Sequence, residues 1–263
     1  MPETVIVVPC YNEAHRLPND ALLAHLERDA RTDFILVDDG SQDETLAVLR
    51  SIEENQPRRI TVIHQETNRG KAEAVRQGME QAFELDCQNA GYFDADLATP
   101  LHQIEPMRRV LDEDHQIEMV FGARVQLMGR QIERSRVRHY LGRVFATIAS
   151  MTLGLAIYDT QCGAKLFRNI ASNRKIFTEP FDGGWIFDVE ILARRIAATR
   201  WDGQPPIEGA LYELPLAAWI DVAGSKVQAI DFVRASIALG KLHRRYLSPR
   251  AERWPSETDT ATE

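Results

Sequence analysis

The sequence predicts an α/β fold: a mostly parallel sheet flanked by helices, with ligand chemistry gathered at the carboxyl ends of the strands. Two observations predict it. Short apolar, β-branched runs alternate with segments of helical spacing through the first hundred residues, the pattern that builds a parallel sheet covered by helices. Three of those strand ends are acidic, at Glu13, Asp38-Asp39 and Asp94-Ala95-Asp96, and in such sheets ligands bind beyond the carboxyl ends.

Thr4 to Pro9 is nearly all β-branched, as a strand buried on both faces requires. It runs into the polar loop Cys10-Tyr11-Asn12-Glu13. Leu17 to Ala30 has apolar residues at helical spacing, and Asp33 to Asp39 returns to strand. Gly40 to Glu44 is a turn in which Ser41 and Glu44 stand at capping-box spacing, which predicts a helix opening there and running to about Asn55. A strand at Ile60 to His64, a helix from about Gly70 to Leu85 and a strand at Gly91 to Asp94 follow. Beyond Asp96 the alternation loosens. A helix over about Leu101 to Asp114 and a strand over Ile117 to Ala123 precede an arginine-rich segment and the apolar run Val144 to Tyr158. Phe187 then opens a helix to about Ala198, and Val227 to Tyr246 is amphipathic, either a helix on the sheet or a basic membrane-surface anchor.

At 263 residues the chain buries a full core without disulfide staples. With 31 basic and 39 acidic side chains its net charge is −8, which argues against a nucleic-acid partner. Cys10, Cys87 and Cys162 are odd in number and far apart, and read as buried thiols of a reducing compartment. The chain enters a strand directly after Met1, without a basic and apolar leader, so the expected location is cytoplasmic. Val144 to Tyr158, at about 15 residues, falls short of the roughly 18 to 20 needed to cross a bilayer. It reads equally as a buried helix or as one lying in a membrane interface. No Gly-rich dinucleotide fingerprint follows the first strand and no Gly-Lys-Ser/Thr phosphate loop occurs, which argues against oxidoreductases and phosphate-loop NTPases.

Two acids one residue apart at a strand end, Asp94 and Asp96, can reach a single divalent cation. Oxygen ligands suit Mg²⁺ or Mn²⁺, which take one or two carboxylates, waters and the oxygens of a diphosphate. The alternative is a solvated strand end. Between Arg124 and Arg143 six arginines (124, 130, 134, 136, 138 and 143) face one acid, Glu133. Guanidinium forks grip phosphate oxygens in two-point geometry, so a phosphate-bearing acceptor or an anionic headgroup is the natural partner.

Pro9-Cys10-Tyr11-Asn12-Glu13, Val37-Asp38-Asp39-Gly40-Ser41, Asn68-Arg69-Gly70-Lys71 and Asp94-Ala95-Asp96 occur in this order. They are followed by Asp159-Thr160-Gln161-Cys162-Gly163-Ala164-Lys165-Leu166-Phe167, by Phe187-Asp188-Val189-Glu190, and by Trp219 with Gly224-Ser225-Lys226. The ordered set resembles the inverting family 2 glycosyltransferases of GT-A fold, in the branch of dolichyl-phosphate glucosyltransferase and dolichyl-phosphate mannose synthase. The resemblance spans roughly residues 4 to 230 and implies a single GT-A domain over 1–247, with a nucleotide-sugar half (1–100) and an acceptor half (101–247). The polar tail 248–263 is expected to be disordered.

The resemblance also implies roles. Pro9, Tyr11, Glu13 and Asp39 hold the base and ribose; that Glu13 and Asp39 merely cap the following helices is the weaker reading, because both lie on the same sheet edge as the metal candidate. Asp94 and Asp96, with Ala95 between them, face the cation and the donor diphosphate; Lys71 supports the diphosphate charge or is a solvated lysine at a helix start. Arg124 and Arg138 grip the acceptor phosphate, and Gln161, Lys165 and Lys226 contact acceptor or diphosphate. Asp188 and Glu190 are general-base candidates or caps of their helix, and Asp96 and Arg124 complete the catalytic set. Relatives often carry Gln where this chain has Ala98, and Gly-Lys-Gly where it has Gly70-Lys71-Ala72. The implied activity is metal-dependent inverting transfer of a hexose, from UDP-glucose or GDP-mannose, to a polyprenyl phosphate. The enzyme would be peripheral on the cytoplasmic membrane face, because the membrane helices of many relatives are lacking here. Two alternatives are a soluble hydroxyl acceptor deprotonated by Asp188, and a nucleotide-sugar-binding module without turnover.

Overall fold

The computed structural model of the chain describes residues 2–133, 136–220 and 229–251, with backbone only for 133, 136–141 and 229–233. In chain order the elements are β1 (Thr4–Cys10), α1 (Asn19–Arg28), β2 (Thr32–Asp38), α2 (Thr45–Asn55), β3 (Ile60–His64), α3 (Lys71–Glu84) and β4 (Asn89–Phe93). The second half adds α4 (Ile104–Glu113), β5 (Met119–Ala123), β6 (Gln131–Glu133), α5 (Arg136–Leu153), β7 (Ala164–Arg168), α6 (Ala171–Ile176) and α7 (Phe187–Trp201). It closes with β8 (Leu211–Pro215), β9 (Ala218–Ile220) and α8 (Ala229–Leu242), which runs into a π-helical turn at His243–Leu247.

The main sheet has the order β3-β2-β1-β4-β7-β5-β8. β3, β2, β1 and β4 are mutually parallel, as are β5 and β8, and β7 lies antiparallel between β4 and β5. β6 and β9 pair in a separate parallel ribbon. The continuous apolar runs have their physical reason here: Val5 and Val7 of β1 pack toward α3, α5, α7 and α8, while Ile6 and Val8 pack toward α1, α2 and α4. The three cysteines are buried free thiols.

Three local expectations change. The capping box is not made: α2 opens at Thr45, without a side-chain cap. Ser41 Oγ instead accepts the Asn12 N–H at 3.0 Å and Asn12 Oδ1 accepts the Gln42 N–H at 2.9 Å, so these side chains tie the β1 loop to the β2 loop. Gly40 (φ 65°) lies against the Thr67-Asn68 backbone, where a Cβ would stand 2.5 Å from Asn68 N. The run Val144 to Tyr158 is helical only to Leu153. Its inner face, Phe145, Ala149 and Leu153, joins the core, while Val144, Ile148 and Met151 form an exposed stripe at i, i+4 and i+7. Among the described residues no helix is long and apolar enough to cross a membrane. Lastly, Ser248 to Ala251 are placed in part by Arg200, which donates to the carbonyls of Ser248 and Pro249.

On the face of α4 a buried arginine organises the edge. Arg108 Nη2 donates to Asp29 Oδ2 at 3.0 Å and to Glu105 at 2.6 Å. Burial works to raise the Asp29 carboxyl, but bonds from the Arg31 N–H, the Thr32 hydroxyl and Arg108 outweigh it and bring it down to about 2. A depressed carboxylate contributes stability that is present above its unfolded value, near 4, and lost as pH falls toward its folded one. Urea unfolding at pH 6 and pH 3 is therefore expected to show Arg108→Met less stable at pH 6, with a shallower acid loss than the wild type; equal slopes would rule out this origin.

Candidate active site at the carboxyl edge of the sheet

β1, β2 and β4 are parallel, so the segments following them, Cys10–Glu13, Asp38–Ser41 and Asp94–Asp96, lie along one edge. Pro9 is in register with Val37, Cys10 with Asp38, and Asp38 with His64. Tyr11 is half-buried in the turn after β1, and the Glu13 N–H donates to Thr45 Oγ1 at 2.8 Å, with the Glu13 carboxylate 3.5 Å from Arg16. Asp38 is buried and paired to His64 Nδ1 at 2.7 Å. Asp39 accepts the N–H groups of Arg69 (2.7 Å) and Gly70 (2.9 Å). Burial raises its carboxyl above the usual range, against those two bonds, with Asp38 and Glu73 adding to the rise. Asp39 thus holds the loop that leads into α3, with the motif Asn68-Arg69-Gly70-Lys71.

That loop delivers Lys71. Its Nζ lies 2.5 Å from Asp94 Oδ1, and both side chains are partly exposed. Burial would lower the ammonium, but Asp94, Asp188 and Asp96 together raise it above its ordinary value. Beyond Asp94 the chain turns tightly through Leu97 (φ 46°), whose N–H donates to the Asp94 carbonyl; Asp96 Oδ1 accepts the Ala98 N–H at 3.0 Å. Burial raises the Asp96 carboxyl, and the charge of Asp94 raises it further. Two carboxylates this close, one raised by the charge of the other, suit a cation. Among the described residues no three His, Cys, Asp or Glu side chains cluster as a cage, so the chain offers Asp94 and Asp96 and leaves other positions to water and diphosphate, which fits Mg²⁺ or Mn²⁺.

The acceptor half reaches this edge through β7. Asp94 N donates to Gly163 O at 2.9 Å, which brings Asp159 to Gly163 beside the acids. A Cβ on Gly163 would stand 2.0 Å from Asp94 Oδ2. Arg124, at the end of β5, forks onto Asp159 with Nε at 2.7 Å and Nη2 at 2.8 Å, while its backbone N–H donates to the same carboxylate at 3.1 Å. Its guanidinium lies 5.3 Å from the Trp219 ring. Despite burial, Asp159 keeps Arg124 protonated at any ordinary pH. Nη1 is without a partner among the described residues, as is Gln161 Nε2. The Asp159 turn is pinned by Glu213, which accepts the N–H groups of Tyr158 and Asp159 at 2.8 and 2.9 Å.

Two expected groups are placed differently. Lys165 does not face a ligand: its side chain is fully buried, with Nζ on Asp188 Oδ1 and on the Cys162 carbonyl. Glu190 neither caps α7 nor opens to solvent; it is fully buried and accepts from Gly183 N, Arg194 and Tyr246. Asp188 is also buried and accepts from Tyr92 and Lys165. The Arg138 side chain and Lys226 lie outside the described residues. Sequence reasoning gave no role to Asp159, Gly163 or Tyr92. Asp159 and Gly163 stood inside a quoted motif, but Tyr92 looks like any other core residue of a strand.

A model of the family described as glycosyl transferase family 2 matches residues 5–174. Dolichyl-phosphate beta-glucosyltransferase of Saccharomyces cerevisiae is 32% identical over 92% of this chain and 74% of its own length. The human protein of that name is 31% identical over 84% of this chain and 68% of its own. Glucosyl-3-phosphoglycerate synthase of Mycobacterium tuberculosis, solved with UDP, superposes with a TM-score of 0.62 at 17% identity, covering 92% of this chain and 80% of that one. A mannosyltransferase of Pyrobaculum calidifontis, solved with GDP-Man and Mn²⁺, gives 0.59 at 18% identity, over 92% of this chain and 63% of that one. The likeness to these structures fixes the fold as GT-A.

Gly163→Ala is expected to push the Asp94 carboxylate aside and weaken Mn²⁺ binding in the presence of UDP by about tenfold or more, as loss of ligand support does. Calorimetric titration checks this, with the melting temperature as control; unchanged affinity would show that Asp94 is not a ligand.

Proposed function

Because the chain belongs to glycosyl transferase family 2, and so is a hexosyltransferase, we propose that it moves glucose from UDP-glucose to a polyprenyl phosphate, with inversion and with Mg²⁺ or Mn²⁺ at the site. The observation that carries this reading is the bond from Asp94 N to Gly163 O, which sets the donor acids against the segment bearing Gln161 and the Asp159 that holds Arg124. Glucose and a dolichyl-type acceptor are supported by the sequence relatives, which are dolichyl-phosphate glucosyltransferases.

Pro9, Tyr11 and Glu13 line the base and ribose, with Asp39 shaping the wall through the loop it caps. Asp94 and Asp96 would hold the cation, which when bound supplies charge neutralisation for the departing diphosphate. Lys71 adds a positive charge on the same side. The acceptor phosphate meets Arg124 through Nη1, and Gln161, Arg138 and Lys226 are assigned to the same anion. One phosphate oxygen attacks the anomeric carbon as the bond to the UDP oxygen breaks. An anionic acceptor needs no general base, so catalysis is positioning and charge stabilisation. The exposed stripe Val144, Ile148 and Met151 on α5 follows the arginine patch in sequence. That order suits a peripheral enzyme resting on the cytoplasmic face of a membrane, with basic groups at the headgroups and the stripe at the acyl boundary.

Incubation of the full chain with UDP-[¹⁴C]glucose, Mn²⁺ and vesicles carrying a polyprenyl phosphate should move label into the organic phase, and Asp96→Asn should lower the rate by about a hundredfold or more. GDP-[¹⁴C]mannose in parallel distinguishes the donors. No organic-phase label from either nucleotide sugar would sink the proposal.

A further inference from the structure

Tyr92, Lys165 and Asp188 make a buried polar cluster that the transfer step does not use. Tyr92 on β4 and Lys165 on β7 are register partners on adjacent antiparallel strands. Asp188, in the first turn of α7, closes onto them from the neighbouring layer. Its Oδ1 accepts the Tyr92 hydroxyl and the Lys165 ammonium, each at 2.5 Å. Lys165 Nζ also donates to the Cys162 carbonyl at 2.6 Å and lies 4.8 Å from the Phe121 ring centroid. The Lys165 side chain is 0% exposed and that of Asp188 6%.

We propose that these three residues form a clamp that positions Asp94 and Lys71 in the donor site, and that none of them contacts the acceptor or exchanges a proton with it. The inference rests on the donor-site reading above. Two residues beyond Tyr92, just past the end of β4, is Asp94; two residues before Lys165 is Gly163, whose carbonyl holds the Asp94 N–H. The clamp therefore fixes the two chain segments whose separation sets where the Asp94 carboxylate stands. It also acts on Lys71. Phe187, next to Asp188, lies under the Lys71 ammonium at 5.8 Å. Asp188 Oδ2 takes no hydrogen bond among the described residues. The opening of α7 is itself anchored, since Glu190 accepts the Gly183 N–H at 2.6 Å and is shared by Arg194 and Tyr246.

Both rival roles meet physical objections. A side chain with no exposed surface cannot touch a ligand, which removes Lys165 from the acceptor's contacts. Asp188 is buried, with 6% of its side chain exposed and its Oδ1 taken by Tyr92 and Lys165, so an acceptor hydroxyl does not reach it. Removing one partner leaves an uncompensated buried charge, whereas removing both can leave a stable fold.

The test is calorimetric titration of the full-length protein with Mn²⁺ and UDP, together with the electron paramagnetic resonance spectrum of the bound Mn²⁺ and the melting temperature. Tyr92→Phe deletes one hydroxyl and keeps the ring, and the double variant Lys165→Met/Asp188→Leu removes both charges. Each is expected to remain folded, to bind Mn²⁺·UDP about tenfold or more weakly, and to change the Mn²⁺ spectrum. Folded variants with wild-type affinity and spectrum would overturn the clamp and leave only a structural ion pair. If the double variant does not fold, Tyr92→Phe alone decides. A wild-type protein that binds no Mn²⁺·UDP would overturn the donor-site reading and the clamp with it, so the two failures are distinguishable.

Discussion

The bond from Asp94 N to Gly163 O is the constraint on which the site depends. β4 belongs to a parallel block, and β7 enters antiparallel beside it before β5 resumes the sheet. Strands in a parallel block all end at one edge, which concentrates their acidic loops there. An antiparallel strand begins at that same edge, so the loop before it comes to the acids. Reversing one strand thus brings the acceptor half of the chain to the donor half.

The acceptor half has a second recurring feature: cations that by residue type would serve ligands are spent inside. Arg124 forks onto Asp159, Lys165 is held by Asp188, and Arg194 is shared with Glu190 and the carbonyls of Ile176, Glu179 and Pro180. A buried pair repays its desolvation only when the remaining donors are satisfied, and backbone carbonyls do this for Lys165 and Arg194. The consequence is rigidity around the acids. Arg124 keeps one nitrogen outward while Asp159 fixes the rest of its fork. A preoriented cation can stabilise charge without reorganising as the reaction proceeds.

Much of the first half was legible in the sequence. Strands buried on both faces read as β-branched runs, and their acidic ends mark the edge whatever the distant contacts are. β7 was not legible: Ala164–Arg168 is short and carries Lys165 and Arg168, so no periodicity marks it. Its burial depends on pairing with strands far away in sequence. Ser41 misled for a related reason, because its hydroxyl serves Asn12, 29 residues away, rather than its own helix. Arginine and lysine positions were visible but their partners were not. Asp159 lies 35 residues from Arg124, and nothing local distinguishes an arginine reserved for a ligand from one paired in the core.

Joint binding of a nucleoside diphosphate and a divalent cation at the acidic edge is what the transfer chemistry requires. It is tested most directly by thermal denaturation with UDP, Mn²⁺, both, or both with excess chelator. A ligand at about a hundred times its dissociation constant adds about 2.7 kcal/mol to the folded state, a rise of roughly 5 to 10 °C for a chain of this size. That rise is expected for UDP with Mn²⁺, reversed by chelator and absent in Asp94→Asn. Stabilisation by UDP that is indifferent to chelator, or no stabilisation under any condition, would contradict it.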